Sequence, residues 1–289
     1  MSYHTIQELL ETSDKTNIPL WKLILQADTE DRGVTEEDSF ETMRMMYRAM
    51  RQADSSYDKT LTSASGLAGG DGEKLRLYNQ TGRNLAGPYL GLVMEKAIKM
   101  GESNACMKRI VAAPTAGSCG VIPAVLLSYE DLFHPAEEQL VEALFLSAGI
   151  GSVIAEQASI AGASGGCQAE IGSASAMAAA GLVWLQGGNN EMIANAAAMA
   201  LKNMLGLTCD PVCGLVEIPC IKRNSAGAVN AAASAQMALA GIKSAIPADQ
   251  VIDSMRRIGC SMPEALRETG EGGLAVTERG KELKKLLFT

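Results

Sequence analysis

No run of lysine or arginine in this 289-residue chain is long enough to make a basic patch, and 33 acidic side chains against 25 basic ones leave a net charge of −8. A surface of that balance lacks the positive footprint that a phosphate backbone requires, so nucleic acid is not expected as a partner. Strand-type alternation of apolar and polar residues is scarce, which argues against a sheet. Gly-Lys-Ser/Thr and G-x-G-x-x-G are missing from the glycine-dense stretch 63–88, where a nucleotide-binding loop would otherwise be sought. Residues 1–14 are polar and acidic where a secretory signal would be basic and then apolar. Seven cysteines are an odd number in a chain long enough to build its own core, so disulfide staples are not expected either. The expectation is a reducing cytoplasm, with thiols free or metal-bound.

Two uncharged stretches, 171–190 and about 224–242, approach the length of a membrane span. They are built from Ala, Gly and Ser with Asn and Gln inserted, and they lack the Leu/Ile/Phe density and positive flanks of a true span. Buried, tightly packed helices are therefore expected, and no membrane partner.

With 47% apolar residues the chain has material for a large core. We read 1–289 as a single all-α domain whose helices pack closely through Ala and Gly. Within it, residues 1–60 form amphipathic N-terminal helices, 63–88 a Gly-rich loop region and 105–275 the core that carries the chemistry. Thr5 with Glu8, and Thr35 with Asp38, have the spacing of capping boxes. Further helices are expected over 168–187, 190–205, 225–245 and 248–259.

Chemistry is expected in the breaks between helices, where unpaired backbone groups and side chains converge. Cys167, Cys209 and Cys220 all fall in such breaks. Gathered round one metal, three thiolates would leave a fourth position open. Zinc is one candidate, although the only near-knuckle is Cys209 with Cys213, and His4 and His134 lie far off. Iron–sulfur ligation tolerates widely spaced thiolates and fits the spacing better, without the spacing deciding it. Cys106, Cys119, Cys213 and Cys260 read as small core or near-site residues, though residue chemistry alone does not separate Cys213 from Cys209.

Three long segments carry more information. They are Ala113-Pro-Thr-Ala-Gly-Ser-Cys-Gly-Val-Ile-Pro-Ala-Val, Gly165-Gly-Cys-Gln-Ala-Glu-Ile-Gly-Ser-Ala and Gly206-Leu-Thr-Cys-Asp-Pro-Val-Cys-Gly-Leu-Val-Glu-Ile-Pro-Cys-Ile-Lys-Arg-Asn, followed by the tail Glu268-Thr-Gly-Glu-Gly-Gly-Leu-Ala. Through them the chain resembles, over nearly its whole length, the catalytic alpha subunit of the iron–sulfur-dependent bacterial L-serine dehydratases. That resemblance implies a [4Fe–4S] cluster on Cys167, Cys209 and Cys220, with no pyridoxal phosphate. One iron would stay open as a Lewis acid for the 3-hydroxyl of L-serine, and the products would be pyruvate and ammonia.

For the substrate carboxylate the candidates are the hydroxyls of Thr115 and Ser118 and the peptide groups of Ala116 and Gly117. Single-chain relatives usually carry Asn in place of Ala116. Lys222, Arg223 and Asn224 follow the third cysteine and are candidates for stabilising cluster or substrate charge, Lys222 and Asn224 as substrate contacts. Ser164, with Gly165 and Gly166, would let the backbone pass close to the cluster. Glu170 and Glu217 read equally as outer polar support or as structural ion pairs. The family's Ser-Ser-Ser-His-Thr segment is missing, and neither His4 nor His134 lies in a matching motif, so the general base is expected on a separate beta chain in a hetero-oligomer. The terminal cysteine of some relatives is missing as well, which implies a more exposed cluster. The remaining alternatives are a dehydratase for threonine or another small hydroxy amino acid, and a non-catalytic cluster-binding scaffold.

Overall fold

The two N-terminal capping boxes are built as their spacing demands. In a computed structural model that describes residues 3–288, the Glu8 N–H donates to Thr5 Oγ1 at 2.9 Å and the Thr5 N–H donates back to Glu8 Oε2 at 3.2 Å. Asp38 and Thr35 exchange the same pair of bonds at 3.1 and 3.4 Å. These caps start α1 (Ile6–Thr16) and α3 (Glu36–Ser55), with α2 (Leu20–Arg32) between them. Each cap satisfies backbone donors that the first helical turn leaves free.

The rest of the described chain is helical too: α4 (Asp71–Asn79), α5 (Gly87–Ala105), α6 (Val121–Phe133), α7 (Glu137–Gln157), α8 (Gly162–Gly165), α9 (Ser173–Leu185), α10 (Asn190–Lys202), α11 (Cys220–Leu239), α12 (Ala248–Ser261) and α13 (Glu278–Phe288). Among the described residues no strand forms, and the one β-type pairing is an isolated parallel bridge between Cys209 and Arg267. The fold is all-α, as the scarcity of alternation predicts.

Helix α9 is the hub. From Ser173 to Val183 every residue is buried, and α6, α7, α10 and α11 pack around it. Ala174, Ala178, Ala179 and Ala180 are fully enclosed, so the neighbouring backbones close in without large side chains holding them apart. This explains why 171–190 looked long and uncharged without being a span. Among the described helices only Glu137–Gln157 is long and apolar enough to cross a membrane, and 67% of its apolar window is buried inside the fold.

Four expectations need correction. The stretch 63–88 is not loop throughout, because α4 occupies its middle. The first N–H groups of α4, on Asp71 and Gly72, donate to the buried Glu102 carboxylate at 2.7 and 3.1 Å. That cap comes from α5, about thirty positions away, so no local spacing reveals it. The helix expected over 168–187 opens with a π turn, Gln168–Gly172, before α9 begins. The helix expected from 225 starts at Cys220 instead and ends at Leu239, and α10 stops at Lys202, well short of Cys209.

Candidate metal centre

Cys167 is delivered by a tight backbone crossing. Gly166 holds φ +75, and a Cβ there would stand 2.8 Å from both Leu207 O and Met262 Sδ, so only glycine fits in conformation and in space. The next residue after the cysteine, Gln168, is fully buried and ties the 206–207 turn to this point. Its backbone N–H donates to Leu207 O at 3.0 Å, its Oε1 accepts from the Gly206 N–H at 2.9 Å, and its Nε2 donates to Met255 O at 3.1 Å. Cys209 is thereby held beside Cys167. The bridge to the tail fixes it further, with the Cys209 N–H donating to Leu266 O and the Glu268 N–H donating to Cys209 O at 2.7 Å.

The Sγ atoms of Cys167 and Cys209 and a carboxylate oxygen of Glu170 all lie within 4.8 Å of one another, and all three residues are buried. Both cysteines are free thiols. A hydrogen bond from Cys209 holds Cys167 below the ordinary thiol value, and the same bond together with burial pushes Cys209 up. The hydrogen bond between the two sulfurs thus favours the thiolate form at Cys167 over Cys209. Cys220, the first residue of α11, is buried and sits outside that tight group. Its thiol is pushed up to about 12 by burial and by the negative Cys167 and Glu170, so it shares the same field. Cys213 lies half-buried on the Val212–Gly214 turn at φ 61 and is not in the group.

Arg223 places a positive charge beside Cys167. Its guanidinium donates to Thr208 O at 2.7 Å and to the buried Asp210 at 2.8 Å, and it hydrogen-bonds Cys167. Burial works against its charge, but Cys167 and Asp210 outweigh that and raise its pKa. Asp210 in turn accepts the Leu274 N–H at 2.8 Å, so one ion pair clamps the Cys209 segment between α11 and the tail.

Of the other candidates from the sequence, Thr115 and Gly117 face the centre through Glu170. The Thr115 hydroxyl donates to Glu170 Oε1 at 2.7 Å, and a Cβ on Gly117 would stand 3.1 Å from that oxygen. Ser118 is fully buried and closes the 115–118 turn on Thr115 at 3.1 Å. Ala116 is exposed, and its carbonyl accepts from Asn104 at 3.3 Å. Asn224 is a clamp: its Nδ2 donates to Gly117 O at 2.7 Å and Cys220 O at 3.0 Å, and its Oδ1 accepts the Gly120 N–H at 2.8 Å. Its amide is fully engaged in fixing the turn. Lys222 points away and pairs with Asp71 at 2.7 Å, with 61% of its side chain exposed. Ser164 is exposed on α8. Glu217 makes no ion pair among the described residues and instead accepts from Ser63 and Ser65 at 3.1 and 2.6 Å, tethering the Gly-rich segment.

Three residues gain weight from the geometry. Glu170 moves from an undecided position to the centre, where burial raises its pKa. Gln168 and Glu268 gave no signal of their own beyond lying in the matched segments.

Residues 15–275 match the family model described as serine dehydratase alpha chain. The chain is 48% identical over 286 residues to the probable L-serine dehydratase alpha chain of Bacillus subtilis (strain 168), covering 99% of this chain and 95% of that one. It is 39% identical over 286 residues to the L-serine dehydratase alpha chain of Peptoniphilus asaccharolyticus, covering 98% and 97%. Its likeness to L-serine dehydratase TdcG of Escherichia coli (strain K12) is 47% over 182 residues, 62% of this chain and 40% of that longer one.

Proposed function

The chain belongs to the serine dehydratase alpha-chain family, and from that premise we propose that it dehydrates and deaminates L-serine to pyruvate and ammonia, using a [4Fe–4S] group on Cys167, Cys209 and Cys220 and a beta chain as partner. The observation that carries the reading is the buried pair of free thiols with Glu170 beside it, inside the matched segment. The two thiols are soft donors and the group contains no histidine, which suits an iron–sulfur group, while the harder Glu170 carboxylate stands beside them. Bound there, the group would supply a Lewis-acidic iron that eases departure of the substrate's hydroxyl. The proposal includes no pyridoxal phosphate.

The chain's own residues prepare the site. Cys209 and Arg223 lower the pKa of Cys167, so its proton is the easiest of the three to release when a metal binds. Cys209 and Cys220 keep their protons in the buried site and would release them on binding iron, which couples uptake to pH. The 115–118 turn, locked by Ser118 and Asn224, sets Thr115 and Gly117 against Glu170. Removing the α-proton requires a base. His4 is engaged with Glu156 at 2.6 Å on the exterior, and His134 is the left-handed cap of α6, so the proposal assigns the base to the beta chain.

The test is anaerobic reconstitution with iron and sulfide, with and without the beta chain, followed by pyruvate assay on L-serine and 2-oxobutanoate assay on L-threonine. A single methyl separates the two substrates, worth about 1–3 kcal/mol in a pocket. Cys167→Ala, Cys209→Ala and Cys220→Ala should each lose the cluster's visible absorbance, and Cys213→Ala should keep most of it. Full retention by any of the first three removes that residue from the ligand set, and pyruvate formed without iron overturns the reading.

A further inference from the structure

L-Serine carries three groups to be recognised, and the proposed function places the hydroxyl with the metal group, while the carboxylate is expected at the 115–118 turn from the sequence. The ammonium has no assigned partner. In the space next to Cys209, two carboxylates converge. A Cβ built on Gly162 would stand 3.0 Å from Cys209 Sγ, 3.0 Å from Glu170 Oε2 and 3.2 Å from Glu268 Oε2. The two carboxylate oxygens thus converge beside the Cys209 sulfur, and glycine at 162 allows it, because a side chain there would collide with all three atoms.

Nothing in the described protein neutralises those acids. Glu170 is more than nine-tenths buried, and its hydrogen bond is the one accepted at Oε1 from Thr115. No hydrogen bond reaches Oε2 from a described residue, and Glu268 makes no ion pair. The one buried cation nearby, Arg223, is committed to Thr208, Asp210 and Cys167. Glu170 forms the buried side of the pair and Glu268 the exposed side, and two like charges brought together are unfavourable unless a cation joins them. Glu268 is held in place by its own N–H, which donates to Cys209 O at 2.7 Å.

We infer that Glu170 and Glu268, across Gly162, form the subsite that receives the substrate's α-ammonium group. The inference rests on the dehydratase reading and deepens it. An ammonium offers three donors, and Glu170 Oε2 and Glu268 Oε2 supply two acceptors. Such a pair selects 2-amino acids over 2-hydroxy or unsubstituted acids of the same length.

The experiment uses the reconstituted alpha and beta chains and compares L-alanine with propanoate, which differ by the amino group and do not turn over. Binding is read by calorimetry, and iron content and cluster absorbance are recorded for each variant. The wild type should prefer L-alanine, and Glu268→Gln should reduce that preference about tenfold or more, the scale of one lost charge-assisted hydrogen bond. Propanoate affinity and iron content should stay unchanged. Glu170→Gln should shift the same ratio in the same direction, and its iron content separates substrate binding from metal ligation. The inference is overturned if Glu268→Gln weakens both ligands equally, leaves the ratio unchanged, or loses iron in proportion to affinity. Because no turnover is needed, a wild type that makes no pyruvate would refute the dehydratase reading while the subsite is still scored.

Discussion

At the scale of single residues, the reach of a side chain along α11 decides who takes part. Cys220 opens that helix, and each further residue turns about 100°. Arg223 and Asn224, three and four positions on, return to the face of Cys220, whereas Lys222, two positions on, is carried to the opposite side and pairs with Asp71. Read as a string, the motif offers all three as candidates for cluster or substrate charge, because a helix beginning at about 225 rather than at Cys220 would leave them in a turn. That Cys167 and Cys209 meet is legible because their segments are long and specific, while the approach of Glu268 is not, since it depends on the pairing of Arg267 with Cys209 across more than fifty residues. Arg223 carries the clearest energetic consequence. Replacing it with methionine leaves Asp210, 4% exposed, without its cation. Stranding one half of a buried ion pair costs about 3–5 kcal/mol. Arg223→Met should lower the unfolding free energy of the metal-free chain by that order in a urea titration, and a loss below about 1 kcal/mol would show that Arg223 does not hold the Cys209 segment.

Between elements, the site depends on how closely short α8 lies on α12. A Cβ on Gly259 of α12 would stand 3.0 Å from Gly165 Cα, a backbone atom that cannot rotate away, and 3.4 Å from Gln168 Nε2. The contact falls two residues before Cys167 and on the side chain that anchors the 206–207 turn, so parting these helices displaces the first thiol and loosens the second. Gly259→Val should therefore destabilise the chain by about 1–3 kcal/mol, the range for overpacking, and should lower iron retained after reconstitution. On the exposed face of the same helix, Arg256→Val should cost less than about 1 kcal/mol. Equal stability and equal iron in Gly259→Val and the parent chain would refute the coupling. The two helices capped by their own Thr5 and Thr35 could be placed from sequence, because donor and acceptor lie three residues apart. Helix α4 could not, because the carboxylate that caps it sits on α5. Local spacing registers local bonds, and this fold closes several of its helix ends through distant ones.

For the whole molecule, acid response tests how the N-terminal helices are joined to the core that carries the cysteines. Lys96 on α5 is 6% exposed, and its Nζ donates to Asp54 of α3 at 2.5 Å and to Asp131 of α6 at 2.9 Å, while Arg51 of α3 reaches Asp131 at 2.7 Å. Burial would raise the Asp131 pKa, but Lys96 and Arg51 outweigh it and hold it below its ordinary value of 3.8. A carboxyl whose folded value is depressed contributes stability above its unfolded value and loses that contribution as pH falls through the lower, folded one. Acidification also acts globally: protonation first removes the net charge of −8, which relieves self-repulsion, and then leaves 25 basic side chains uncompensated. The global effect is spread over the surface and screened by salt, whereas a pair with 8% and 28% side-chain exposure is screened much less. The two are separable by adding salt. In denaturant titrations of the metal-free chain at about 0.5 M salt, unfolding free energy should fall between roughly pH 5 and pH 3 more steeply for the parent than for Asp131→Asn, by on the order of 1 kcal/mol for one partly buried pair. Parallel curves for the two proteins would mean that Asp131 does not link the N-terminal helices to the core.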